Sequence, residues 1–244
     1  MDVYERIFPV AAGNITKGTA DDVMILNQVI GTCFSIGGDY FLTAAHVLKS
    51  ALQYKWSGIS FAYKDMWHGS PFFNTQILED FDIGIFIAET PNTKFLRWND
   101  KSFPMLQAVQ SIGYPYAFDS ENRQITVRSF AGHIVSEQKF HRLKGNARIY
   151  ELSFQAPRGL SGAPLLTLEK GKSVSGIIIG NSTTEMLIYS DKEIISDGIG
   201  ENTVERYEAL HFGIAIQSPQ ILDIYFTVLG GTLRTHLEKH GLIG

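Results

Sequence analysis

Cysteine is almost missing: Cys33 is the single one in 244 residues. A lone thiol excludes an internal disulfide, so the chain does not read as a secreted, cross-linked domain, and a reducing compartment suits it. No excess of basic charge exists either. Lysine and arginine number 21 against 25 aspartates and glutamates, a formal charge of −4, and no basic run exceeds two residues. That excludes the electrostatic footprint of a nucleic-acid binder. Long apolar runs are absent as well: stretches such as residues 176–180 fall far below the roughly 20 residues a spanning helix requires. The opening MDVYERIFPV lacks the charged-then-apolar order of a secretion signal. The expectation is a soluble, cytoplasmic protein with no membrane and no nucleic acid among its partners.

What is present is strand-like. Short segments of β-branched and aromatic residues recur between Gly, Asn, Asp and Pro, the pattern of an all-β sandwich or barrel. Runs at 31–36 and 40–42 join through Gly37-Gly38, which accept the positive φ of a tight hairpin. The second run leads into TAAHVLKS, so His46 lies just beyond a strand. Residues 77–88 place Ile83, Ile85 and Ile87 on one face by alternation, with Asp82 at the beginning of the strand. Further runs at 108–112, 125–130, 133–135, 149–154, 174–179 and 211–216 supply enough strands for two sheets. GYPY at 113–116 and the polar stretch 119–123 mark a boundary, giving units 1–117 and 118–217 and a tail 218–244. Ser218-Pro219 opens a helix in that tail, with Ile221, Leu222, Tyr225 and Phe226 at helical spacing. Residues 181–211 carry seven acidic side chains against Lys192 and Arg206 and separate two strand-like runs. So long an insertion is either disordered or functional.

Three stretches carry chemistry: TAAHV around His46, EDFDIGIF around Asp82 and RGLSGAPLL around Ser161. A serine hydroxyl is a poor nucleophile unless a base takes its proton, and histidine has the pKa for that task. A carboxylate then fixes the imidazole tautomer. Glu79 and Asp80 sit beside Asp82, but only Asp82 directly precedes the alternating strand. Gly159 and Gly162 flank Ser161, allowing the chain to bend until backbone N–H groups point at a developing oxyanion. The amides of Gly159 and Ser161 are the candidates.

With these motifs in order, the sequence resembles the chymotrypsin-like serine peptidases, most of all the Deg/HtrA type. TAAH at 43–46, DIGI from Asp82, IGYP at 112–115, ITVRSFAGHIVS at 125–136 and GLSGAP at 159–164 carry the resemblance. It implies two perpendicular six-stranded antiparallel β-barrels with a C-terminal helix. It also implies a serine endopeptidase that works on protein or peptide substrates through an acyl-enzyme, with no metal or other cofactor. By the same alignment Gln155 floors the primary specificity pocket, while Ile179, Gly180 and Asn181 with Gly213 and Ala215 form its walls. Departures are informative. Leu160 stands where digestive relatives carry an aspartate, and no Ile-Val-Gly-Gly sequence opens the chain, so activation by N-terminal insertion is not expected. Val47 replaces a common cysteine. With 19 residues after Tyr225, a peptide-binding domain of the Deg/HtrA kind is not expected either.

Other readings stay open beside this one. The acidic insertion could favour basic substrates, act as a lid, or dock a regulatory protein partner. Gln155, Arg158 or the insertion could close the pocket and leave an inactive binding module. A latent enzyme, switched on by a partner or trigger, would show the Gly159 amide turned away from the oxyanion hole. His236 and His240 have the i, i+4 spacing of metal ligands but no third partner in sequence, so a solvated helix end is expected. His133 and His211 have no evident partner, and Cys33 reads as a small buried apolar residue.

Overall fold

The computed structural model describes residues 5–16, 23–63, 66–91, 93–119, 121, 124–141, 143, 147–168, 172–194 and 201–243. The first sheet is built from β1 (Ile7–Thr16), β2 (Val23–Gly37), β3 (Tyr40–Ala44), β4 (Trp56–Tyr63), β5 (Met66–Pro71), β6 (Phe73–Leu78) and β7 (Ile83–Ile87). Its seven strands run in the order β5-β4-β1-β2-β3-β7-β6, antiparallel throughout. The sheet curls into a half-barrel because one face of each central strand is apolar. Phe8, Val10, Cys33, Phe41, Ile59 and Phe86 fill its interior. Phe41 stacks on Phe86 at 5.6 Å and meets Phe8 edge-on at 5.4 Å, both favourable ring geometries. Gly37 and Gly38 turn β2 into β3 with φ of 113° and 60°, values a side chain would resist.

After a short hairpin of β9 (Phe118–Asp119) and β10 (Gln124–Ile125), the second sheet closes on itself. It comprises β8 (Ala108–Gly113), β11 (Arg128–Lys139), β12 (Arg148–Leu152), β13 (Pro164–Thr167), β14 (Val174–Ile194) and β15 (Glu201–Gln217). The barrel order is β11-β12-β15-β14-β13-β8, sealed where Leu165 pairs with Ser111 and Ser129 with Ile112. Val109, Ile134, Tyr150, Leu152, Leu165 and Ile178 pack inside. A third apolar cluster joins the two sheets and the tail: Ile7 and Phe34 from the first, Ile177 and Ile214 from the second, Leu222 and Leu237 from the tail.

Helices are short: α1 (Ala45–Ala51), α2 (Ser218–Leu222) and α3 (Leu233–Lys239). Among the described residues no helix is long and apolar enough to cross a membrane. The helix opening at Ser218 stops sooner than its sequence implies. Tyr225 and Phe226 leave it to form β16 (Tyr225–Phe226), paired with β17 (Gly231–Thr232). The reason lies in burial: Ile224 and Phe226 point inward while Tyr225 is 60% exposed, a two-residue period that overrides the helical reading. Ser218 and Pro219 do open the helix, and Gln217 holds the cap position without a side-chain bond. The terminal helix α3 is the one with a capping side chain, Thr232 Oγ1 accepting from Thr235 N at 3.2 Å.

The acidic stretch 181–211 is not a separate insertion. It prolongs β14 and β15 into a two-stranded ribbon, paired from Gly180 with Ile214 out to Ile194 with Glu201, and residues 195–200 lie outside the described part. Thr183, Thr184, Ile188, Tyr189, Val204 and Tyr207 give it the β-branched and aromatic content of a strand, which the acid count masks.

Candidate active site

β3 pairs with β7 so that Ala44 lies opposite Ile83. The residues just beyond, His46 in the first turn of α1 and Asp82 ahead of β7, are thereby brought together. Asp82 sits at φ 48° and ψ 40°, a left-handed conformation that aspartate tolerates better than most residues. That backbone turns both its polar ends toward α1. Its carbonyl accepts from Ala45 N at 3.1 Å and its Oδ1 from His46 N at 3.1 Å. His46 Nδ1 lies 2.9 Å from Oδ2 and 3.0 Å from Oδ1. With the proton on Nδ1 donated to the carboxylate, Nε2 is left as the acceptor. Asp82 is 20% exposed and His46 49%. Glu79, its acidic neighbour, is spent on Lys49 at 2.7 Å on the surface.

Ser161 stands in a loop that only glycine neighbours permit. Gly159 and Gly162 have φ of 98° and 85°, and a Cβ on Gly162 would fall 2.1 Å from Thr32 O and 2.2 Å from Thr43 Oγ1. Both sheets hold the loop. Thr32 N donates to Ser161 O at 2.9 Å, and Gly162 N donates to Ile178 O at 2.8 Å. Thr32 Oγ1 donates to Gly159 O at 2.8 Å and accepts from Tyr114 N at 2.9 Å. Thr43 Oγ1 donates to Thr32 O at 2.7 Å. Ser161 and His46 line one cavity of about 310 Å³ together with Gly159, Gln28, Tyr54 and Arg158. Among the described residues no hydrogen bond joins Ser161 Oγ to the His46 ring.

The peptide between Arg158 and Gly159 has a readable orientation. Arg158 O accepts from Tyr116 N at 3.2 Å, and a trans peptide directs its N–H opposite to its C=O. The Gly159 N–H therefore points away from Tyr116. Neither it nor the Ser161 N–H meets an acceptor among the described residues, whereas Leu160 N and Gly162 N are both bonded. Two free amides beside one hydroxyl are the donor set that a developing oxyanion requires.

The six residues expected around a specificity pocket divide. Asn181 clamps Ala156, its Oδ1 accepting from Ala156 N at 2.7 Å and its Nδ2 donating to Ala156 O at 2.8 Å. Gly213 N donates to Phe154 O at 2.8 Å, and a Cβ there would fall 2.6 Å from that oxygen. Gln155, between these two anchor points, is exposed, and Gly180 has open space beside it. The side chains of Ile179 and Ala215 are buried. Ala215 is buried inside the barrel with Tyr150 and Leu152, while Ile179 joins the cluster with Ile214 and Ile216. A bulge interrupts the β14–β15 register between Ile178 and Gly180. Thr32, which ties Gly159 to Tyr114, was not legible: a threonine inside a strand carries no signal of its partners.

The remaining candidates lie apart. The His236 and His240 rings lie 4.7 Å apart, tilted at 52° to each other, with His236 edge-on to Tyr40, and among the described residues no group of three could hold a metal ion. His133 is exposed on β11, and His211 meets Thr183 Oγ1 at 3.0 Å on the ribbon. Cys33 is fully buried, which pushes its thiol pKa up.

No family model and no curated protein matches the chain in sequence. Solved structures do match in shape. The Rv3671c protease from M. tuberculosis in its active form is similar at TM-score 0.55 and 14% identity, over 90% of this chain and 78% of that one. The MamO protease domain from Magnetospirillum magneticum is similar at TM-score 0.55 and 13% identity, over 88% of this chain and 93% of that one. The HtrA-type protease AlgW with a decapeptide is similar at TM-score 0.58 and 12% identity, over 98% of this chain and 66% of that one. The chain has the double-barrel fold of the chymotrypsin-like serine proteases.

Proposed function

We propose that the chain is a serine endopeptidase acting on protein or peptide substrates. Ser161 Oγ attacks the scissile carbonyl carbon while His46 Nε2 takes the hydroxyl proton. The Gly159 and Ser161 amides hold the resulting oxyanion. His46 then returns the proton to the leaving amine, the acyl-enzyme forms, and water adds by the same base to release the acid. Asp82 keeps the imidazole in the tautomer this sequence of transfers demands. The reading needs no cofactor, and a cytoplasmic setting fits the free thiol of Cys33. The observation that carries it is His46, doubly contacted by Asp82, lining one cavity with a serine flanked by free amides.

A second reading has its own observation. Asn181 closes on Ala156 through two hydrogen bonds at the edge where a specificity pocket would open, which favours an enzyme that waits for a partner or trigger. The held Arg158 carbonyl weighs the other way, because the oxyanion amides need no rearrangement. Labelling of the folded protein with a fluorophosphonate probe decides between them. Wild type is expected to label, and Ser161→Ala and His46→Ala to lose the label. A folded wild type that stays unlabelled overturns the constitutive enzyme and leaves the latent and inactive readings.

A further inference from the structure

A second cavity, of about 670 Å³, shares no lining residue with the one that holds Ser161. Four stretches of chain meet around it: Arg6 just ahead of β1, Lys94 and Arg97 after β7, Lys172 between β13 and β14, and Leu242 beyond α3. Four lining side chains are cationic and none is anionic, in a chain whose formal charge is −4. Like charges gathered in a concave wall repel one another, so such a grouping is retained at a cost unless an anion enters.

The compensation present is slight. Glu5 pairs with Lys94. Lys172 reaches the neutral Gln110 Oε1 at 3.4 Å. Arg97 has no side-chain hydrogen bond or ion pair among the described residues. Arg6 donates from Nη1 to Phe95 O, yet its buried Nε meets no acceptor among the described residues. The cations are nevertheless held on fixed backbone: Lys94 N donates to Glu5 O at 2.8 Å, and Val174 N to Arg97 O at 2.7 Å. The backbone of the wall is therefore fixed, while the exposed side chains of Lys94 and Arg97 are free to turn toward a ligand.

We propose that this cavity binds a small ligand carrying phosphate groups. Guanidinium forks match phosphate oxygens two at a time, and lysines add point charge. A phosphoryl group brings close to two negative charges, against the four cations and the single Glu5 carboxylate around the cavity. Its volume lies in the range of small-molecule sites, and Phe95 with Leu242 offers an apolar wall to the organic part of such a ligand. Because Arg6 leads into β1 of the first sheet and Lys172 into β14 of the second, occupancy would brace one against the other. The site stands independently of the peptidase reading.

Isothermal titration of the full chain with pyrophosphate and with magnesium-free ATP tests it, at two salt concentrations, beside thermal melting. Both probes are expected to bind saturably, more weakly at high salt, and to raise the melting temperature. Arg97→Ala and Lys172→Ala are each expected to weaken binding about tenfold, with the ligand-free melting temperature unchanged. No saturable binding of either probe at millimolar concentration overturns the proposal. So does binding that neither substitution weakens, or binding of ATP without pyrophosphate, which would place recognition in the base.

Discussion

At the scale of single residues, Asp82 engages three donors at once: Ala45 N, His46 N and His46 Nδ1. Its left-handed backbone is the strain that makes this possible. Asp82→Asn keeps the size but lets an amide N–H face the imidazole, so the wrong tautomer is favoured. Peptide hydrolysis is expected to fall by about four orders of magnitude while the circular dichroism spectrum is unchanged. Thr32 works at a distance along the chain, its hydroxyl bridging Gly159 O and Tyr114 N. Thr32→Val leaves both groups buried and unpaired, and denaturant unfolding should register a loss of about 2–4 kcal/mol. The histidine, aspartate and serine were legible because each comes wrapped in a local motif. Thr32 was not, because its partner Gly159 lies 127 residues away and only the docking of the two sheets makes them neighbours.

At the scale of elements, turns were readable and lengths were not. Gly37-Gly38 announces its hairpin, since few residues other than glycine accept those dihedrals. The runs 125–130 and 133–135 gave no sign that residues 128–139 form one strand, β11. The ribbon was hidden for a different reason: a paired strand with both faces in water needs no alternation, so its period carries no information. Met186, Leu187, Ile188, Tyr189, Val204 and Tyr207 are all at least 46% exposed on it. Two strands alone add little stability in water, and the barrel keeps its own pairing from Gly176 with Gln217 to Asn181 with Gly213. Replacing residues 184–208 by a two-residue turn is therefore expected to leave the thermal melting midpoint nearly unchanged. Light scattering should show the shortened chain less prone to associate, because its free strand edges and apolar side chains are gone.

At the scale of the whole molecule, stability rests on three apolar clusters, one inside each sheet and one that joins the sheets to the tail. The order of motifs pointed to two barrels, but no residue pattern specifies that β8 must close against β13, a pairing between distant segments. The tail packs by way of α3, where burial first and neighbouring His240 second hold the His236 pKa below its ordinary 6.5. The folded state thus resists a proton that the unfolded chain accepts. Its contribution to stability is complete above about pH 6.5 and is lost as the pH falls through the folded value. Urea midpoints are expected to drop between pH 7.5 and 5.5, and to drop less in His236→Phe.

The clamp of Asn181 on Ala156 and the bond from Gly162 N to Ile178 O also set a timetable. A ribosome makes Ser161 before any of β14 exists, and β14 in turn is sealed into the barrel only when β15 arrives to pair with β12. Thr32 and Tyr116 can hold one side of the Ser161 loop as soon as it is made, but the side that rests on β14 is not fixed until nearly nine-tenths of the chain has been made, Gln217 of 244 residues closing β15. On the proposed peptidase reading, a chain truncated before β15 carries His46, Asp82 and Ser161 on a loop supported from one side alone, and a nascent chain meets the same restraint.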